Sequence, residues 1–209
     1  MPPTLSLPRY HYIGCSLTAD AATLAAVVLA PADRFGAADG VLDVATIELI
    51  PASGTFEKTI AALSEVVAAR WHLSRNWQVV ADVGNYARGR SFSDALRASG
   101  FERRWGVAPK RIELDARDLP KPVAEGWRIK VPRRAIVGAL ADAIARDRLH
   151  VPRLMSHAGE LRVQLGNFRN RRPGEAEVPE ELAVALGLAV WKSANAGSPG
   201  GFLPITRRA

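Results

Sequence analysis

A single cysteine, Cys15, occurs in the 209 residues, so no intramolecular disulfide can form and no cysteine-based zinc knuckle can be built. It lies in an apolar run, reads as a core residue, and suits a reducing cytoplasm. The four histidines, His11, His72, His150 and His157, stand at no mutual spacing that would set them on one metal ion. No apolar run approaches the roughly 18 residues that a membrane span requires. The N-terminus carries prolines and Arg9 before its first apolar stretch, without the apolar core of a signal peptide. No G-x-x-x-x-G-K-[ST] is present and no G-x-G-x-x-G follows a strand, which excludes those nucleotide-binding loops. The expectation is a soluble cytoplasmic protein with neither a membrane nor a nucleotide partner.

Lysine is scarce as well. Lys58, Lys110, Lys121, Lys130 and Lys192 are the only lysines among 28 basic residues, so arginine supplies most of a net charge of +7. The planar guanidinium donates two parallel hydrogen bonds and so suits phosphate; a GC-rich coding genome would produce the same bias. With 48% hydrophobic residues, the chain can bury a substantial core, and a single domain is the first expectation.

Taken in order, Tyr10 to Leu17, Thr23 to Leu29 and Val41 to Ile50 read as three strands with short connections, which implies an antiparallel meander. From Thr55 to Trp71, Phe56, Ile60, Leu63, Val67 and Trp71 step by three or four, the signature of an amphipathic helix. The next strand ends Val79, Val80, Ala81, Asp82, an acid at the exit of a strand, and should lie parallel to the first strand. Gly84 and Asn85 break it. Arg88, Gly89 and Arg90 then form a basic loop leading into a helix marked by Phe92, Ala95 and Leu96. Arg111 to Leu114 reads as a fifth strand and Asp115 to Gly126, with Pro120 and Pro122, as a loop. Pro132 opens a helix running to about Arg146, with Lys130, Arg133 and Arg134 at its start. Leu149 to Pro152 is a brief extended piece, Ala158 to Phe168 a further helix, and Asn167 to Pro173 a basic turn with Arg169, Arg171 and Arg172. The last helix begins at Pro179 and buries a face of Leu182, Ala185, Leu186, Ala189 and Val190. Residues 1–9 are expected as an arm, 10–192 as the domain, and 193–209 as a flexible tail.

The order of these elements and several local patterns resemble the nuclease domain of the large terminase subunit of tailed-phage DNA-packaging motors, over about Tyr10 to Trp191. That family opens with a G-x-D-x-G strand and a further acid before the second strand; here stand Gly14, Cys15, Ser16, Leu17, Thr18, then Asp20. Its central strand ends in an acid followed by a glycine-bearing loop and helix, matched by Asp82, Gly84, Gly89 and Asp94. Val131 through Pro152 is similar to its later stretch. Its last helix begins His-Asp-Asp-Leu and ends in Trp, and here Pro179, Glu180, Glu181 and Leu182 continue as AVALGLAVW.

The resemblance implies a ribonuclease H-like mixed five-stranded sheet flanked by helices on both faces. It also implies carboxylates converging on two divalent metals, Mg or Mn, because hard cations take oxygen ligands and two of them stabilise both the attacking and the leaving oxygen. The site residues carried over are Asp82, Glu181, Asp20 and Glu180. The first-strand acid is replaced by Ser16, which removes a full charge, and the helix carries glutamates, whose oxygens sit about 1.5 Å further out than those of aspartate. Glu181 falls about 100° from the centre of the apolar stripe and Glu180 about 160°, making Glu181 the better placed ligand. Acids in the first turn after a proline are also what a helix N-terminus prefers.

Two function classes follow. One is a DNA-binding relative that works in phage or phage-like packaging within a bacterial host, with metal weakly bound or absent and cleavage weak or lost. The other is an active metal-dependent endonuclease cutting concatemeric DNA. Double-stranded DNA is the expected partner, through Arg88, Arg90, Lys130, Arg133, Arg134, Arg169, Arg171 and Arg172, with other packaging or capsid components as further partners.

Overall fold

The computed structural model describes residues 10–18, 20, 22–32, 41–52, 56–70, 77–83, 86–106, 110–115, 122–125, 128–170 and 179–195. The meander forms as β1 (His11–Leu17), β2 (Thr23–Pro31) and β3 (Leu42–Pro51), with antiparallel ladders between neighbours. Helix α1 (Phe56–Ala68) follows; Trp71, read as its last apolar step, lies outside the described residues. Strand β4 (Trp77–Asp82) then returns to pair parallel with β1, as its separation from the meander by a helix requires.

Helix α2 (Tyr86–Ser99) begins earlier than expected, so Arg88, Gly89 and Arg90 are helical and do not form a basic loop. Among them Gly89 has a packing reason: its missing side chain leaves room for the Arg111 guanidinium. Gly100, at φ 67, turns the chain into the short helix α3 (Phe101–Trp105). The fifth strand is β5 (Lys110–Asp115), parallel to β4.

The sheet exceeds the five strands expected. Among the described residues its order is β6-β7-β5-β4-β1-β2-β3-β8, eight strands. Strand β6 (Val123–Glu125) lies inside the stretch expected as a loop, directly after Pro122, and a three-residue strand at a sheet edge tolerates a neighbouring proline because no ladder continues beyond it. Strand β7 (Arg128–Pro132) has only Ile129 and Val131 as apolar signal, and Pro132 is its extended last residue at φ −63, ψ 134 before the helix, not a residue of the first helical turn. Lys130 is therefore a strand residue in register with Glu113 and Val123. Helix α4 (Arg133–Ala145), the brief β8 (Leu149–His150), α5 (Ala158–Asn170) and α6 (Glu181–Ala194) complete the order.

Helices cover both faces. Ile13, Cys15, Val79 and Ala81 pack with α1, α2 and α3, whereas Tyr12, Val27, Val80 and Ile112 pack with α4, α5 and α6. Successive side chains of a strand alternate between faces, so β1 and β4 serve both cores. Burial pushes the Cys15 thiol up to about 12, so it stays protonated. Helix α6 is buried all round from Leu182 to Val190, not on one face alone, because α4 and α5 lie over the side turned away from the sheet. Two glycines admit it. A Cβ at Gly14 would lie 2.8 Å from the Ala189 nitrogen and nearer still to the Ala185 carbonyl oxygen, and one at Gly187 would lie 3.0 Å from Leu140 Cδ1.

Candidate functional site

Strands β1, β4, β5 and β7 run in one direction, so Leu17, Asp82, Asp115 and Pro132 end at one edge of the sheet. Helix α6 crosses β1 at Gly14, and its Lys192 lies close enough to Lys110, the first residue of β5, to lower that lysine's pKa, after the larger effect of burial. Its start is located by Glu180, which pairs with Arg133, the residue directly after the end of β7. Asp82 shares its face with Val80, and Ser16 shares its face with Gly14, so both belong to the α6 side. They are also Cα partners in the parallel ladder.

Each remaining acid has a defined set of hydrogen bonds. Asp20 is exposed in the β1–β2 turn, where its Oδ1 accepts from the Thr18 hydroxyl at 2.5 Å and the Ala22 amide at 2.9 Å. Those bonds, the hydroxyl first, and the nearby charge of Arg88 hold its carboxyl below the usual range. Glu180 takes a bidentate ion pair from Arg133, Nη1 to Oε1 at 2.6 Å and Nη2 to Oε2 at 2.7 Å. The same guanidinium lies 4.0 Å over the Phe168 ring, so α4, α5 and the start of α6 are tied at one point. Glu181 accepts from Gln164 Nε2 at 3.2 Å and from the Glu180 amide at 3.0 Å. Gln164, only 3% exposed, turns its Oε1 to the Leu182 amide at 2.8 Å and caps the helix from outside.

The described oxygens of Asp20, Glu180 and Glu181 are thus engaged by a hydroxyl, an arginine and amides. Among the described residues no group of three or more His, Cys, Asp or Glu is placed to hold a metal ion. With Ser16 uncharged, this described donor set does not fit a two-metal centre, which needs several free carboxylate oxygens between the ions.

Of the basic residues, Arg88 is half-buried and Arg90 exposed on α2, while Lys130 is half-buried on β7. Arg133 is paired as above and Arg134 is exposed beside it. Arg169 lies in α5, its side chain outside the described residues along with all of Arg171 and Arg172. Sequence reading missed Gln164 and Phe168, whose only signal is their i, i+4 spacing on α5. It also set Asp115 in a loop, although the acid closing RIELD marks the end of β5 just as Asp82 marks the end of β4.

No protein-family model matches the sequence, and no curated protein matches it. Solved structures do. The nuclease domain of the human cytomegalovirus terminase, manganese-soaked and inhibitor-bound, superposes with a TM-score of 0.52 at 12% identity, covering 88% of this chain and 81% of that one. A second structure of that domain, manganese-soaked, gives 0.51 at 10% identity over 86% and 81%. The fold is ribonuclease H-like. Thermus thermophilus RuvC is also similar, with a TM-score of 0.44 at 17% identity over 89% of this chain and 94% of that one. No helix among the described residues is long and apolar enough to cross a membrane.

Proposed function

We propose that this protein is a terminase-nuclease-like DNA-binding protein of phage or phage-like DNA packaging in which two-metal cleavage is weak or lost. The observation that carries the reading is the serine at the first-strand position, set beside Asp82 in the ladder, together with the engagement of both Glu180 oxygens by Arg133. An acidic centre needs free carboxylates; here a neutral hydroxyl and an internal ion pair stand at the sheet end where the ligands would be. The net charge of +7 supports sequence-independent binding to duplex DNA, with Arg88, Arg90, Lys130, Arg134, Arg169, Arg171 and Arg172 as contacts. Magnesium or manganese is then weakly bound or dispensable, and other packaging or capsid components are the expected protein partners.

The second reading is an active endonuclease. Asp82 at the end of β4, with Asp115 at the end of the neighbouring strand, favours it. One experiment separates the two: fluorescence anisotropy on a labelled duplex across a salt titration, paired with plasmid nicking in manganese. Salt-dependent binding without nicking supports the first reading. Robust nicking that vanishes in Asp82→Asn overturns it in favour of the second, and absent binding at low salt removes both.

A further inference from the structure

Most arginines whose contacts are defined in this fold are matched by a carboxylate. Arg128 pairs with Glu113, Arg133 with Glu180, and Arg146 and Arg148 both with Asp142. Helices α2 and α3 break that pattern. Their apolar residues Phe92, Ala95, Leu96, Phe101 and Trp105 are buried, and at about 100° per residue Arg90 and Arg97 fall roughly 140–160° round from the buried stripe of α2. Both are exposed, as are Arg103 and Arg104 on α3. Among the described residues no carboxylate pairs with Arg90, Arg103 or Arg104. The Arg104 guanidinium lies 4.8 Å from the centre of the Trp105 ring. Arg97 meets Asp94 at 3.1 Å in a pair whose side chains are 79% and 58% exposed, and so exposed a pair exchanges readily for another anion.

We infer that the outer face of α2 and α3, with Arg90, Arg97, Arg103 and Arg104, is the surface that takes the sugar-phosphate backbone of duplex DNA and leads it to the sheet edge holding Ser16 and Asp82. The inference rests on the DNA-binding reading above and adds to it a location and three arginines. Arg90 and Arg97 are two turns apart, about 10.5 Å along the helix, so their forks reach phosphates on either side of a groove about 12 Å wide. Guanidinium groups grip phosphate in paired hydrogen bonds and read no bases from this position, so the surface orients the duplex without selecting sequence. Helix α2 starts four residues after Asp82, so its first turns, with Arg90, stand at the edge where β4 ends.

The test uses the full chain and a fluorescein-labelled random duplex. Arg90→Gln, Arg97→Gln, Arg103→Gln and Arg104→Gln are combined in one variant, and Arg153→Gln with Arg162→Gln, exposed residues near α5, in a control. The combined variant should weaken binding at least about tenfold and flatten the slope of log affinity against log salt by about 3.6, at roughly 0.9 for each of four lost phosphate contacts. The control should keep the slope of the wild type. Half-variants, Arg90→Gln with Arg97→Gln and Arg103→Gln with Arg104→Gln, should each remove part of the slope, and melting curves on all of them check the fold. A wild type that binds while the combined variant keeps its full slope overturns this inference and leaves the DNA-binding reading standing. A wild type that does not bind overturns both.

Discussion

Ser16 and Asp82 face each other as Cα partners at the ends of β1 and β4, with Ser16 only 4% exposed. Parallel neighbours lie about 4.8 Å apart, so a second carboxylate in place of Ser16 would stand beside Asp82 in a poorly solvated position. The Ser16→Asp variant should lose about 2 kcal/mol, or roughly 4–8 °C in melting temperature for a chain of this length, through like-charge repulsion. Manganese should restore much of that loss in the variant and shift the wild type little, since a cation between two acids removes the repulsion. Adding Asp82→Asn should relieve the penalty and remove the manganese effect together. Plasmid nicking, slow or undetectable in the wild type, should rise in Ser16→Asp if Glu181 can turn inward, and disappear in the double variant. Melts with and without manganese check the first part whatever the nicking assay gives.

The Arg133–Glu180 pair predicts a coupled loss of stability. The side chains are 26% and 15% exposed and joined at both oxygens, so the pair sits between a surface bridge and a buried one. Arg133→Gln should cost about 1–3 kcal/mol and Glu180→Gln a similar amount, because either leaves a partly buried charge facing a neutral amide. The double variant should cost less than the two combined, with a coupling of about 1 kcal/mol or more in denaturant melts. Additive effects would mean that the geometry carries no energy.

Two glycines against the same helix should respond unequally. A Cβ at Gly14 meets main-chain atoms of Ala185 and Ala189, which cannot move without shifting α6 off the sheet, whereas one at Gly187 meets the ends of the Ile136 and Leu140 side chains. Gly14→Ala should cost about 3 kcal/mol or more, and Gly187→Ala about 1–2 kcal/mol as those side chains change rotamer. Chemical denaturation of the two variants provides the comparison. Equal losses would show that α6 can lift from β1 as easily as Ile136 can rotate.

The parts of the fold that could be read from the sequence were those where one strong period dominates. The meander, α1 and the parallel return of β4 beside β1 carry long apolar patterns and appear where those patterns stand. Strands β6 and β7 escaped because three to five residues with prolines at hand carry no period, and their pairing is decided by β5 already standing in place. At the site, an acid leaving a strand and an acid opening a helix are local signals, and Asp82 does end β4 and Glu181 does open α6. What it could not provide was partner choice. Nothing in Arg133 or Gln164 announces that the fold brings them to Glu180 and Glu181 from 47 and 17 residues away.

The last prediction concerns pH. His11, at the start of β1, is buried, and its ring centre lies 4.8 Å from that of Trp77. Burial, and after it the positive charge of Arg70, hold its pKa below the ordinary 6.5. The folded protein therefore keeps this imidazole neutral at a pH where the unfolded chain already protonates it. Unfolding takes up a proton as pH falls below 6.5, so stability is fully present above that value and declines through the window down to the lowered folded value. His11→Phe keeps an aromatic ring against Trp77 and removes the titration. Melting temperatures measured from about pH 8 to about pH 5 should fall further for the wild type than for the variant, with the difference opening below neutrality. Parallel curves would show that the imidazole protonates in place, with water or a shift of Arg70 absorbing the charge.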